Sequence, residues 1–359
     1  MATPLNSTAD PTASPAAIPF LDAARGLATT RTPVWFMRQA GRSLPEYRAV
    51  RGEGSILDAI KNPELSTEIT LQPVRRHGVD AAVLYSDIVV PAHAIGFGID
   101  VAPGTGPVAS QPFRGAADLA RLRPFEPEAD TPYVLETVRQ LAATLPASVP
   151  LLAFAGAPFT VASYLVEGRP SRTYEHTKQL MHTDEPLWHR LMEALVQHST
   201  ASIASQLDHG AQAFQLFDSW AGALSRADYD RYVLPHSQAV FAALAASHPQ
   251  APGIHFGIGC DHLLESMLAA GPQVLGLDWR TTIQGARARM GSNLVVQGNL
   301  DPALVLAGTK VALAGADRVL ADNGGHPGHI FNLGHGVQPN TDPGVLTAIV
   351  SHVHERTTH

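Results

Sequence analysis

Short apolar runs, each closed by polar or glycine residues and followed by a longer amphipathic stretch, recur along this chain from about Phe20 onward. They are PVWFMR (33–38), AAVLYSDI (81–88), LLAFAGAPF (151–159), AFQLFDSW (213–220), GIHFGI (253–258), VLGLDW (274–279), LVVQGNLD (294–301) and HIFNLGHG (329–336). Each is too short for a helix and apolar almost throughout, as a strand is when both faces of a parallel sheet are covered. Eight such runs alternating with helical stretches predict an α/β chain closed into a (β/α)8 TIM barrel. An open doubly wound sheet is the alternative.

The stretches between carry helix punctuation. Asn62-Pro63, Thr131-Pro132, Asp301-Pro302 and Asp342-Pro343 each place an N-cap residue before a proline at the first helical position. Leu187, Leu191 and Leu195 form an apolar stripe that stops at Gly210, and Leu263, Leu264, Met267 and Leu268 form another closed by Gly271. The gaps after the first three runs are long, so insertions are expected over one mouth of the barrel. No long linker interrupts the pattern. The expectation is one barrel domain over residues 19–356, preceded by a disordered tail over 1–18 rich in Ala, Pro, Ser and Thr.

Composition narrows the function classes. Hydrophobic residues make up 45% and charged residues 16% of 359, enough apolar material to fill a large interior. A formal net charge of -7 disfavours a nucleic-acid binder, which needs clustered Lys and Arg. An anionic ligand must then be held locally, by a few placed cations. The single cysteine, Cys260, rules out a disulfide within the chain and a zinc site built on two of its own thiolates; it reads as a buried small hydrophobe. No apolar run reaches the ~20 residues that span a bilayer. The N-terminus lacks a basic start and an apolar segment, so a cytoplasmic protein is expected.

Catalytic groups of such barrels sit at the C-terminal ends of the strands. Those ends here carry Arg38 and Arg42, Asp87, the segment after Pro158, Asp218 and Ser219, His255, Asp278, Asn299 and His335. Aspartates in these places commonly cap the next helix. Asp278 and Asp301 read as caps or supporting residues. Asp87, embedded in YSDIV, reads as the functional one. Arg38 and Arg42 flank a tight turn of Gln39, Ala40 and Gly41. An arginine ending a buried strand needs an anionic partner. Its rigid fork meets a carboxylate bidentately, as lysine cannot. Two forks a turn apart suit a ligand with several carboxylates, whereas an internal ion pair with Glu46 or a strand-end Asp is the structural alternative. Other patterns are weak. HERTTH has the wrong spacing for a helical zinc pair, GTGPVAS lacks the lysine of a phosphate loop, and GIGCDHLLE is a glycine turn running into a helix.

Several of these segments resemble one family. PVWFMRQAGRSLPEYR and LLAFAGAPFTVASYLVEG are similar to the two long signatures of the uroporphyrinogen decarboxylase family. YSDI, FDSWAG and FNLGHGVQPNTDP match further blocks in the family's order, so the resemblance runs from about Pro19 to about His354. It implies a single-domain barrel, a homodimer, and no cofactor or metal. The implied reaction removes carbon dioxide from the four acetate side chains of uroporphyrinogen III, giving coproporphyrinogen III. The implied substrate-binding residues are Arg38, Gln39, Ala40, Gly41, Arg42, Asp87, Tyr164, Ser219 and His335. Among them the resemblance implies that Asp87, Arg38 and Tyr164 are catalytic, Asp87 as the transition-state stabiliser and Tyr164 near the reacting acetate. Ser43 departs from the family, which usually has an aromatic residue there.

The chemistry accounts for these residue types. Losing carbon dioxide directly from an acetate leaves a poorly stabilised carbanion, but a pyrrole carbon protonated first becomes an electron sink. An ionised Asp87 facing the pyrrole N–H groups would stabilise the resulting cation. Water, Tyr164 or a perturbed arginine remain open as proton donor. Two other readings share the barrel. A zinc-dependent corrinoid methyltransferase would use one His and two Cys; His255 and Cys260 lie in the right region, but no second cysteine exists. A non-catalytic tetrapyrrole carrier would need only the arginine grip.

Overall fold

The computed structural model describes residues 17–358 apart from Pro103. All but the last two residues of the tail expected over 1–18 lie outside them. Seven parallel strands follow one another around a single sheet: β1 (Ala82–Val83), β4 (Leu151–Gly156), β5 (Ala213–Phe217), β6 (Gly253–Phe256), β7 (Val274–Gly276), β8 (Val296–Gln297) and β9 (His329–Ile330). The remaining two, β2 (Ile99–Ala102) and β3 (Gly106–Ala109), form a separate antiparallel hairpin.

The first expected strand is the exception. Residues 33–38 make only one parallel bridge, Val34 with Phe331. The bonds around it still place the segment between β9 and β1. Phe331 N–H donates to Pro33 O at 2.8 Å, Trp35 N–H to Phe331 O at 3.2 Å, and Asp80 N–H to Val34 O at 2.8 Å. This segment therefore takes the place of the eighth stave. The other seven strands occupy only the first part of their apolar runs. The residues beyond each strand lead into the loop or helix that follows, although a single bridge beyond β8 still pairs Leu300 with Leu333.

The long early gaps hold the expected insertions. Helices Pro45–Arg51, Ile56–Ile60 and Pro63–His77 follow the first segment, the hairpin and Pro132–Thr144 follow β1, and Pro158–Glu167, Glu175–Thr183 and Glu185–Asp208 follow β4. Three of the four expected caps form: Asn62, Asp301 and Asp342 accept from the N–H groups of Leu65, Ala303 and Gly344 at 3.0, 2.9 and 2.8 Å. Thr131 does not cap. Its hydroxyl donates backward to Pro127 O at 3.2 Å, closing the preceding turn instead. The Leu187, Leu191 and Leu195 stripe is buried as expected. Leu263 belongs to a short 3-10 turn ahead of helix Leu264–Ala269 rather than to the helix.

A polar thread crosses the apolar interior. Trp35 Nε1 donates to Gln297 Oε1 at 2.9 Å, and Gln297 Nε2 donates to Gln215 Oε1 at 2.8 Å. Gln215 Nε2 then reaches Met37 Sδ at 3.5 Å. β5 and β8 are not neighbours in the sheet, so these bonds tie opposite walls together. All of these side chains are buried and each glutamine has partners, which is the condition under which a polar core group is tolerated.

Asp80 anchors the first segment from below. Its buried carboxylate accepts from Val34 N–H and Arg31 at 2.7 Å each and from His354 Nε2 at 2.6 Å. Burial alone would raise its pKa, but the bonds from His354, Val34 and Arg31 together hold it below the ordinary carboxylate value. Breaking such a partnership leaves buried donors without an acceptor charge, so Asp80→Asn should lose ~2–4 kcal/mol in urea unfolding at pH 7. The depressed pKa fixes the pH dependence. This stabilisation is complete above the unfolded-state value near ~4 and is lost as pH falls through the lower folded value. The gap between wild type and variant should therefore close in acid; a constant gap down to pH 2 would contradict the assignment.

Candidate active site

The loop after the first segment is built around an unusual backbone. Arg38 and Arg42 have φ of 61° and 48°, and Gly41 lies between them at 90°. Non-glycine residues rarely occupy this left-handed region, so two of them within five residues mark a loop held by its surroundings. Gln39 does much of the holding. It is buried, its Oε1 accepts from Phe36 N–H and its Nε2 donates to Ala81 O, both at 2.9 Å. Its side chain is therefore committed to the fold. Asn332 Oδ1 accepts from Met37 N–H at 3.0 Å, and Val337 N–H donates to Met37 O at 2.9 Å, tying this loop to the one after β9. Ser43 is buried where an aromatic was expected. The aromatic packing beside the loop comes from Tyr47 and Tyr85, whose rings lie 5.9 Å apart against Gly41.

The structure corrects the picture of Arg38 as an arginine ending a buried strand. No strand forms there, and Arg38 is exposed while Arg42 is half-buried. The chain turns at Met37 and Arg38, which leaves Met37 buried and the Arg38 side chain exposed. The internal ion pair with Glu46 is absent, because Glu46 is taken by Arg76 at 2.9 Å. Among the described residues, neither arginine has a carboxylate within ion-pair distance.

Four of the expected residues converge. The stem of Arg38 lies against Gly336, beside His335, so closely that a Cβ on Gly336 would sit 2.6 Å from Arg38 Cδ. Gly336→Ala should consequently displace Arg38. A rise in KM of about 5–20-fold with little change in unfolding midpoint is expected, and an unchanged KM would show that the stem moves freely. Half-buried Asp87 is pushed above the ordinary carboxylate range by burial, against the N–H groups of Val89 and Ile88 and the positive charge of Arg38. Its Oδ1 accepts from Val89 N–H at 3.0 Å. Burial, reinforced by the charge of Asp87, pushes the Tyr164 hydroxyl up to about 12. Burial and Arg38 lower His335 to about 4, so its ring is neutral at pH 7. Gly336 N–H donates to His335 Nδ1 at 2.6 Å, which leaves the ring proton on Nε2 as a donor. The charge of Arg38 thus acts on Asp87, Tyr164 and His335, although the four come from three loops and the helix Pro158–Glu167.

Ser219 is half-buried in the turn after β5, and Ala40 is half-buried beside Gly41. Sequence reasoning missed what holds Ser219. Asp218 is fully buried and Thr160 donates to its Oδ1 at 3.0 Å; Trp220 N–H donates to the same Thr160 hydroxyl at 3.3 Å. The Trp220 ring then meets the ring of Tyr164 edge-on at 5.9 Å. No periodicity reveals such a link, because Thr160 and Asp218 are 58 residues apart.

The region expected to hold zinc in the methyltransferase reading is closed. His255 is fully buried, with Nδ1 facing Met267 O at 3.3 Å and Nε2 3.6 Å from Asp218 Oδ2. Cys260 is buried as expected, with its thiol against Ile258 O at 3.5 Å, and burial pushes its pKa up. Among the described residues, no three His, Cys, Asp or Glu side chains are grouped so as to hold a metal. A separate cleft of about 590 Å³ lies between β3 and the loop that follows helix Pro158–Glu167. None of the expected site residues lines it.

Comparison with known proteins adds three findings. The uroporphyrinogen decarboxylase (URO-D) family matches residues 16–356. The uroporphyrinogen decarboxylase of Salinispora tropica is 57% identical over 343 residues, covering 96% of this chain and 91% of its own. That of Nocardia farcinica is 53% identical over 345 residues, covering 94% and 96%. Among solved structures, a methyltransferase from Methanosarcina mazei superposes with a TM-score of 0.78 over 94% of this chain and 97% of its own, at 18% identity. That likeness concerns the fold alone.

Proposed function

The chain belongs to the uroporphyrinogen decarboxylase family, and from this we propose that it removes carbon dioxide from the four acetate side chains of uroporphyrinogen III, giving coproporphyrinogen III. It is a carboxy-lyase of porphyrin and haem biosynthesis acting on a small polycarboxylate tetrapyrrole. One observation carries the assignment of the site: Arg38, which pairs with no carboxylate among the described residues, packs its stem against Gly336 beside His335, and its charge acts on half-buried Asp87, on Tyr164 and on His335.

The roles follow from this grouping. Arg38 and Arg42 hold substrate carboxylates, and the neutral His335 donates from Nε2 to another polar group of the substrate. Gln39, Ala40 and Gly41 shape the turn that presents the arginines, with Gln39 contributing through its hold on the backbone. Ser219 offers a hydroxyl from the loop beneath Trp220. A proton first adds to a pyrrole carbon next to the acetate, and the ring becomes cationic. The bond to the carboxylate then breaks, carbon dioxide leaves, and the bonding electrons neutralise the ring as an exocyclic double bond. A proton added to the methylene carbon and one lost from the ring leave a methyl group. Asp87, ionised and facing the pyrrole N–H groups, stabilises the cation while it exists. Its pKa is raised when nothing is bound, so binding N–H donors and keeping Arg38 nearby both favour the form that works. Tyr164 stays protonated at neutral pH and serves as a hydrogen-bond donor beside the acetate.

The family reading extends to a homodimer working in the cytoplasm. No helix among the described residues is long and apolar enough to cross a membrane. The direct test is anaerobic incubation with uroporphyrinogen III, with products resolved by carboxylate number. Stepwise loss from eight carboxylates to four is expected, and an unchanged octacarboxylate would refute the proposal.

A further inference from the structure

The loop after β7 carries a cation that the account above does not use. Asp278 is buried, and its Oδ2 accepts from Gly259 N–H at 2.6 Å and from Arg280 Nη1 at 2.7 Å. Its Oδ1 accepts from Arg280 N–H at 2.9 Å. The Arg280 guanidinium stacks on the Trp279 ring, 4.0 Å from its centroid. Asn299 Nδ2 donates to the carbonyls of both Asp278 and Thr281, fixing the turn from beneath. The arginine is thus oriented by one charge and one ring while its side chain stays 51% exposed. Asp278 engages only one edge of the guanidinium, and the remaining donors have no partner among the described residues.

This turn borders the site. A Cβ on Gly334 would run into the backbone of Asp278 and Trp279, just as one on Gly336 would run into Arg38. His335 therefore lies between two arginine-bearing loops, with Arg38 on one side and Arg280 on the other. Consistent with that order, the charges of Arg38, Asp278 and Arg280 all act on the His335 ring.

We propose that Arg280 is a further carboxylate-binding residue, which takes an acetate or propionate carboxylate of the tetrapyrrole on the side of His335 away from Arg38. The inference rests on the decarboxylase reading for the identity of the ligand. Its chemistry is more general, because a pre-oriented guanidinium with free edges at a barrel mouth selects a carboxylate. A substrate with eight carboxylates needs more cations than the loop of Arg38 and Arg42 supplies.

The test measures binding and turnover separately. Anaerobic titration with uroporphyrinogen III, read by quenching of tryptophan fluorescence, gives Kd for wild type, Arg280→Gln and Arg280→Lys. Steady-state assays give KM and kcat. Arg280→Gln should raise Kd and KM about 10-fold, with kcat within about twofold, and should flatten the salt dependence of binding. Arg280→Lys should fall between the two, since it keeps charge and loses the fork. Unaltered Kd in Arg280→Gln would overturn the proposal. So would a fall in kcat with unaltered Kd, which would make Arg280 a support for the loop. If wild type binds the ligand without turnover, the decarboxylase reading fails, and the Kd comparison still decides the role of Arg280.

Discussion

Asp87→Asn is expected to bind uroporphyrinogen III almost as well as wild type and to lose kcat by about 10²–10³-fold. Asparagine keeps the shape and the Oδ1 acceptor for Val89 N–H, so the loop should be retained. What disappears is a negative charge placed where the ring becomes positive, and removing one oriented electrostatic partner typically costs that much in kcat. The pH profile gives an independent signature. Burial holds Asp87 above the ordinary carboxylate range, so wild-type kcat/KM should fall in acid with a limb displaced upward from ~4. Asp87→Asn should lose that limb along with most of its rate. Near-normal turnover in the variant would remove Asp87 from the mechanism.

Replacing Arg38 should produce the second large effect. Arg38→Gln is expected to lower kcat/KM about 10²-fold, and Arg38→Lys about 10-fold, because lysine keeps the charge without the bidentate fork. The two variants should also differ in pH dependence. The positive charge of Arg38 lowers the Asp87 pKa, so glutamine should shift the acid limb upward while lysine leaves it nearly in place. The same charge lowers His335, so its pKa should rise from about 4 in Arg38→Gln. Identical kinetics for Arg38→Lys and wild type would show that charge alone, without geometry, holds the substrate.

The barrel was legible because burial on both faces imposes a continuous apolar run, a signal that survives whatever the strand's length. Lengths were not legible. The run LVVQGNLD yields a strand of only Val296–Gln297 and a separate bridge at Leu300, and PVWFMR yields a single bridge. The convergence of Arg38, Asp87, Tyr164 and His335 could be anticipated from strand ends together with the family motifs. The exposure of Arg38 could not, since it depends on the chain turning at Met37 and Arg38. The backbone bonds of the Gln39 side chain to Phe36 and Ala81 were not legible either, since Ala81 is 42 residues away. Thr131 looked like a cap, but its hydroxyl is used by the turn before it. Arg280 went unnoticed for a related reason: its significance comes from Asp278, Trp279 and the neighbouring Gly334, and only the last of these contacts crosses between loops.

The most direct test of the central claim is the carbon dioxide released per macrocycle by chelator-treated protein given uroporphyrinogen III under anaerobic conditions. Side chains that grip carboxylates and stabilise a ring cation predict four equivalents, with coproporphyrinogen III as the final product. Release that fails without added zinc, or no release from substrate that binds tightly, would contradict it.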